Sequence, residues 1–363
     1  MNPLDGYHAP HPRNQIRRAG ARCPGLFDLD DGKTTVSALF RPRLVNGRFG
    51  DPALFIGLAH EREAVLFDMG ELADLSPRDL LRVRAVGLSH MHIDHLIGFD
   101  RLLRVNIGRE ASISIVGPQG CADRLGHKLQ GYSWDLVERY DTDLHFDIGE
   151  LHASGCSRWW RFRMSHRFEG EYLGERASED GLLLQTPRWA LRAAVVEHHG
   201  PCIAFALEEP VRINIWRNRL EERALEPGPW LNRLKDAIRQ NLPDETTIAI
   251  PGGELRTIAD LRELVSVGAG MILGYATDLR DTAANRVALR GLTRDCTILF
   301  IEASFAADEA ERAYDRAHLT TRAAGEIARE CGAKRVEPFH FSPRHEGEED
   351  RLMEEVQRAF KGP

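Results

Sequence analysis

The sequence predicts a layered α/β protein, and three observations carry that reading. Short apolar runs bounded by Gly, Pro and Asp recur along the chain, as strands ending in turns do. Helical patterns fall between many of them, which implies strands covered by helices. At 363 residues, with 42% hydrophobic and 28% charged content, the chain is long enough to bury such a core.

Taken in order, residues 1–33 are rich in Pro, Arg, Gly and His without periodicity and read as an N-terminal extension, with His8 and His11 incidental. Strands are expected at "ALFIGL" (53–58), "AVLFDMG" (64–70), "AVGLSH" (85–90) and "SISIVGP" (112–118). "SPRDLLR" begins a helix, with Ser76 as N-cap and Pro77 in the first turn. Residues 119–190, including "SRWWRFRM", are Arg-rich and read as irregular. The second half repeats a strand-then-helix habit. "TTIAIPGG" precedes "TIADLRELV", "MILGYATD" precedes "RDTAANRVALRG", and "TILFIEASF" precedes "AADEAERAYDRA". "TTRAAGEIARECG" predicts a helix ending at Gly332, a C′ glycine. "RVEPFHF" is a further strand, and residues 346–363 a C-terminal helix.

The net charge of −7 excludes a general basic field that would draw the chain to nucleic acid or anionic lipid. Six cysteines without a C-x-x-C pair argue against a disulfide framework and a cysteine zinc site, and fit reduced thiols. No signal-peptide-like start and no membrane-length apolar run occurs, so a cytoplasmic protein without membrane attachment is expected.

Chemistry is concentrated in "GLSHMHIDHLIGFD". His90, His92, Asp94 and His95 fall within six positions just after an apolar strand. Neutral imidazoles and carboxylates are ligands for divalent zinc or iron. Four donors in six residues cannot all face one tetrahedral ion, so the spacing suggests two neighbouring metals completed from elsewhere. His198, Asp278 and His340, each at or near a strand end, are the candidates.

The span from about 50 to 345 resembles the metallo-β-lactamase fold, a four-layer αββα sandwich, in its ribonuclease Z branch. "VLFDMGE", "SHMHIDHLIGFDRLL", "VVEHHGPCIAFALEE", "ALEPGPW", "GYATD", "IEASF", "AHLTT" and "FHFSPRH" are similar to that branch's motifs and follow the same order. The resemblance implies a metallo-β-lactamase-like domain over 34–345, with 208–243 as an arm-like insertion. It implies one metal on His90, His92 and His198, a second on Asp94, His95 and His340, and Asp278 bridging both. The ions are expected to be zinc, with manganese or iron as alternatives. Asp94 would act on the attacking water, and His318, held by Glu302, would donate a proton to the leaving oxygen. Ser342 and Arg344 would contact a phosphate oxygen. Asp68 is expected to orient a metal-binding histidine. A homodimer acting on a phosphodiester, with pre-tRNA 3′ ends as the family's substrate, is the implied assembly and activity.

The chain also departs from that pattern. The family's Gly-Thr-Gly loop is replaced by "RPRLVNGRFGDPALFIG", and its His-Glu-Ala-Thr block reads Ile301-Glu302-Ala303-Ser304. In 208–243, Arg212, Arg217, Arg219, Arg223, Arg233, Lys235 and Arg239 are interrupted by Glu221, Glu222, Glu226 and Asp236. That pattern predicts an amphipathic, salt-bridged helical element with Trp216, Leu220 and Trp230 buried, in preference to an RNA-gripping surface. The replaced loop favours a second reading, hydrolysis of a small cyclic phosphodiester, lactone or thioester; iron in the same cage would give redox chemistry, and a non-catalytic binding protein would predict degraded ligands, of which none of the seven is lost.

Overall fold

The computed structural model describes residues 39–59 and 61–362, and the extension expected at 1–33 lies outside them. Eight strands form the first sheet in chain order: β1 (Phe40–Leu44), β2 (Leu54–Leu58), β3 (Ala64–Phe67), β4 (Val83–Gly87), β5 (Ala111–Pro118), β6 (Leu144–Leu151), β7 (Cys156–Arg163) and β8 (Gly170–Ala177). β3 to β6 run parallel, and the flanking pairs are antiparallel. The connections include helices α1 (Pro77–Leu80), α2 (Phe99–Asn106) and α3 (Cys121–Gln130). Ser76 caps α1 by accepting the Asp79 N–H, as the S-P-R-D spacing predicts.

The second sheet begins with β9 (Leu182–Gln185), β10 (Ala190–Glu197) and β11 (Pro201–Glu208). The chain then leaves it for a small unit made of β12 (Val211–Ile215), α4 (Arg217–Glu222), α5 (Trp230–Arg239), β13 (Thr247–Ala249), β14 (Leu255–Thr257), α6 (Ile258–Leu261) and β15 (Val265–Ala269). It returns as β16 (Ile272–Ala276), α7 (Ala283–Leu292), β17 (Ile298–Glu302), α8 (Ala310–Asp315), α9 (Thr321–Glu330), β18 (Val336–Phe339) and α10 (Glu349–Lys361). The sheet order is β18-β17-β16-β11-β10-β9, with β16, β17 and β18 parallel.

Alternation explains why both sheets are buried on two faces. In β3, Leu66 packs towards α2 and α3 with Phe99, Leu125 and Phe146, while Val65 and Phe67 face the second sheet. In β17, Ile298 and Phe300 face the first sheet, and Leu299 and Ile301 pack under α9 and α10 with Ile327 and Val356. A strand buried on both sides reads as an unbroken apolar run, which is what "AVLF" and "ILFI" are. The layers are therefore helices, sheet, sheet, helices. Stacked rings tie the two sheets together: Phe67 lies 5.1 Å from both Phe205 and Tyr275, and Tyr275 lies 5.2 Å from Phe339. α9 and α10 approach so closely at Gly325 that a Cβ there would stand 2.4 Å from the Val356 carbonyl.

Three expectations are corrected. Residues 119–190 are structured, carrying α3 and four strands. The outer positions of β7 and β8 are charged or exposed, so no regular apolar period marks those two strands, whereas β6 does alternate, with Leu144, Phe146 and Ile148 inward. "TTIAIPGG" does carry a strand ahead of a helix as expected, β13 and the turn of the short β13–β14 hairpin in the small unit, outside both main sheets. Trp216 is not buried there: it sits at the N-cap of α4, 45% exposed, while Leu220 and Trp230 fill the unit's own core with Leu234, Ile248 and Leu261. The unit is mixed, not purely helical, and 208–243 supplies only its first half.

Candidate metal centre and active-site cleft

Strands of both sheets end at one edge of the sandwich, and the singled-out side chains hang from those ends. Asp68 follows β3, His90 follows β4, His198 follows β10, Asp278 follows β16, Glu302 closes β17, and His340 follows β18. Asp68, Asp278 and His340 all have φ between 52° and 57°, the left-handed region. Three strand ends turned this way, one in the first sheet and two in the second, cost free energy that only a well-packed surround sustains, and such strain gathers at functional sites.

The seven expected ligands come together. His90, His92, His198 and Asp278 form one group, and Asp94, His95 and His340 another, with the donor atoms of each group within 4.8 Å of one another. Asp278 reaches both groups. Its Oδ2 is 3.4 Å from His90 Nε2, 3.5 Å from His95 Nε2 and 3.8 Å from His198 Nε2, and its Oδ1 is 2.9 Å from His340 Nδ1. Asp94 Oδ2 lies 3.4 Å from His95 Nε2 and 3.8 Å from His340 Nε2. The adjacent histidines of the His198-His199 doublet face different ways. His198 is buried with Nδ1 2.9 Å from the Ala317 carbonyl, whereas exposed His199 points Nε2 at the Arg316 carbonyl, 3.1 Å away.

These residues fit divalent ions. His90 Nε2 and His95 Nε2 are buried without a hydrogen-bond partner, which protein interiors avoid. Most of the donor separations, 3.4–3.8 Å, are long for hydrogen bonds. Ligand atoms held about 2.0–2.2 Å from one ion stand roughly 3–3.5 Å apart, so the spacing suits shared coordination. Charge points the same way. Burial, with His95 nearby, drives the His90 imidazole down to about 2, and burial lowers His198 as well. Both therefore present neutral nitrogens, as ligation requires. Burial also opposes charge on His95 and His340, but the carboxylates of Asp68 and Asp278 more than offset it at His95, and Asp278 lifts His340 to about 10.

Asp68 shows why the geometry holds. It is fully buried and accepts the Ser89 N–H at 2.7 Å, the Ser89 hydroxyl at 2.8 Å, the Tyr275 hydroxyl at 2.8 Å and His95 Nδ1 at 2.9 Å. With Nδ1 donating to a carboxylate, His95 must offer the lone pair of Nε2 to the centre.

Beside this cluster opens a cleft of about 570 Å³. His92, Asp94, His198, Asp278, His340 and His318 line it, and Ser342 and Arg344 stand on its rim. His318 Nδ1 is 2.8 Å from Glu302 Oε2, and buried Glu302 also accepts the Leu279 N–H at 2.8 Å and the Ser304 hydroxyl at 2.7 Å. Burial disfavours the charged imidazole of His318, yet the Glu302 carboxylate outweighs it and raises the pKa. Arg344 donates to Ser342 Oγ at 3.2 Å and lies over the Phe305 ring. Sequence reasoning missed Arg312 and Arg316, which line the same wall. They sit in and just after α8, where "ERAYDRA" reads as an ordinary solvated helix; their closeness to His318 was the available signal.

No family model matches the chain. A protein named ribonuclease Z from Deinococcus radiodurans is 34% identical over 277 residues, covering 75% of this chain and 80% of its own. The chain belongs to the ribonuclease Z family. A ribonuclease Z from Geobacillus kaustophilus is 27% identical over 84% of this chain and 86% of its own. The crystal structure of the metallo-β-lactamase fold protein YhfI from Bacillus subtilis superposes with a TM-score of 0.51 at 17% identity, covering 88% of this chain and 92% of that one, and shows the shared fold. As a ribonuclease Z family member, the protein is a metal-dependent hydrolase. Among the described residues, no helix is long and apolar enough to cross a membrane.

Proposed function

We propose that the protein is a dinuclear phosphodiesterase that cleaves RNA, with the 3′ end of pre-tRNA as its substrate. His90, His92 and His198 would hold one ion, Asp94, His95 and His340 the other, and Asp278 both; zinc suits this nitrogen-rich set. Bound ions would supply a nucleophile at neutral pH and offset charge on the scissile phosphate. The remaining work falls to side chains. Asp94, partly exposed in the cleft, orients the attacking water. His318 carries a proton that Glu302 stabilises, and gives it to the leaving oxygen. Arg316 offers a cationic fork to phosphates flanking the scissile bond, as do Arg344 and Arg312, which share Glu309 only at 3.7 and 3.6 Å, and Ser342 adds a hydroxyl. In catalytic form the chain works as a homodimer in the cytoplasm.

The observation that carries this reading is the His318–Glu302 pair on the same cleft as both donor groups. A metal store needs no proton donor; cleavage of an unactivated phosphodiester does. The small unit contributes little cationic surface, because its arginines are largely committed. Arg262 meets Asp244 at 2.5 Å, Arg239 meets Asp236 at 2.8 Å, Arg223 pairs with Glu263, and Arg233 bonds the Ala249 carbonyl. The cleft rim is the better RNA contact. The test is incubation of zinc-loaded protein with pre-tRNA and with bis(p-nitrophenyl) phosphate. Cleavage at the tRNA 3′ boundary is expected; inertness towards both substrates with metal demonstrably bound would sink the reading.

A further inference from the structure

We propose that Arg48 is a positioning residue that sets the turn presenting His340, and with it the affinity of the Asp94–His95–His340 site; this rests on the metal reading above. Arg48 lies in the loop 45–52, where the chain departs from its family's glycine-rich pattern. Its side chain, 15% exposed, binds Glu337 at 2.7 Å, donates to the Pro338 carbonyl, and reaches Glu349 at the start of α10 at 3.2 Å. Its own carbonyl accepts the Phe341 N–H at 2.9 Å. The contacts at 337, 338 and 341 therefore bracket His340 on both sides.

That bracket is needed because His340 is a non-glycine residue at φ 57°, ending a four-residue edge strand paired on one side only. The left-handed conformation costs about 1–3 kcal/mol and persists only where the surroundings over-determine it. Other holds on this turn are local: the Ser304 hydroxyl meets the His340 carbonyl at 2.8 Å, and Ser342 N–H bonds the Ser304 carbonyl. Arg48 joins it to the loop 45–52 on the opposite side of the cleft. The same loop is fastened there too, since the Gly70 N–H donates to the Pro52 carbonyl and Met69 N–H to the His95 carbonyl. Phe49, packed edge-on against Phe341 at 5.4 Å, closes the join. The loop thus ties the turns bearing His95 and His340, residues 245 positions apart, into one frame. Arginine is required because one planar fork serves a carboxylate and a carbonyl together, whereas a lysine ammonium cannot hold both in fixed geometry.

The experiment is zinc titration of metal-depleted full-length protein by calorimetry, comparing wild type, R48M, R48K and H340A, with melting temperatures measured alongside. For R48M, the expected result is an unchanged first ion and a second ion bound about 10- to 100-fold more weakly, with a lower kcat and little change in KM. R48K is expected to weaken the second ion in the same direction, and it serves in place of R48M should the methionine variant fail to fold. Equal weakening of both ions, or second-ion affinity within twofold of wild type in the folded variants, overturns the proposal. H340A separates the two levels of argument. If H340A itself binds both ions normally, the assignment of His340 as a ligand has failed; if it loses the second ion while the Arg48 variants keep it, only the positioning role has failed.

Discussion

Replacing Asp68 by asparagine changes one oxygen for an NH₂ group in a site with no room and no water-facing side. The carboxylate accepts four hydrogen bonds, one at Oδ1 from the Ser89 backbone and three at Oδ2. The backbone N–H cannot rotate away, so the amide must keep its oxygen there and turn its NH₂ towards the other three groups. The Ser89 and Tyr275 hydroxyls can rotate to accept. His95 accepts only by moving its proton from Nδ1 to Nε2, which aims an N–H at the metal centre where a lone pair is needed. Hydrogen bonds to a charged acceptor contribute about 1.5–3 kcal/mol each, so we expect the metal-free variant to lose about 2–4 kcal/mol after partial compensation. Zinc affinity at the site using His95 should fall about 10- to 100-fold, the usual effect of losing such a partner. Y275F is the control: it removes one of the four bonds, costs about 1–3 kcal/mol and leaves the His95 tautomer unchanged, so its zinc affinity should match wild type. The assay is urea unfolding of the metal-free proteins together with zinc titration. Wild-type affinity in D68N, or equal losses in D68N and Y275F, would refute the tautomer argument.

Other outcomes are equally specific. H318A should retain its metal content while kcat on pre-tRNA falls about 10²- to 10⁴-fold; a loss of metal instead would make His318 a ligand. Because Glu302 raises the His318 pKa, the acid form required for catalysis is populated below that raised value. Activity should decline as pH rises through that raised value, and E302Q should move the decline to lower pH in a pH–rate profile. H198A should abolish binding of one ion whereas H199A should leave both in place, as metal analysis after gel filtration would show; the reverse would reassign the doublet. G98A should destabilise strongly, because a Cβ there would sit 2.2 Å from the Gly70 carbonyl between the two loops framing His95, and a melting temperature near wild type would contradict that close approach.

What was legible in the sequence follows from what is local. His90, His92, Asp94 and His95 share one turn, so their chemistry shows as a motif. His198, Asp278 and His340 are distant in sequence but follow buried strands, and a polar residue ending an apolar run is itself a signal. The layered α/β class was readable from apolar runs such as "AVLF" and "ILFI" with helical patterns between them, whereas the αββα arrangement came from the resemblance to the metallo-β-lactamase fold. Strands β7 and β8 were not readable, since their outer positions carry Arg, Glu and Tyr and follow no apolar period. Partnerships across the chain were also hidden. Nothing near Tyr275 announces that its hydroxyl meets Asp68, and nothing near Arg48 announces a helix 300 positions later. Such contacts exist only once the two sheets have packed. Trp216 misled because a tryptophan in an amphipathic pattern suggests a core, but its place at a helix N-cap turns it outwards.

Cleavage by this mechanism requires a pair of ions held together at the cleft, and the most direct measurement is zinc content per chain in protein whose pre-tRNA cleavage is assayed on the same sample. Removal by chelator should abolish cleavage, and activity should return only as the second equivalent of zinc is taken up. Full activity in the metal-free protein, or full activity at one equivalent with no further uptake, would contradict it.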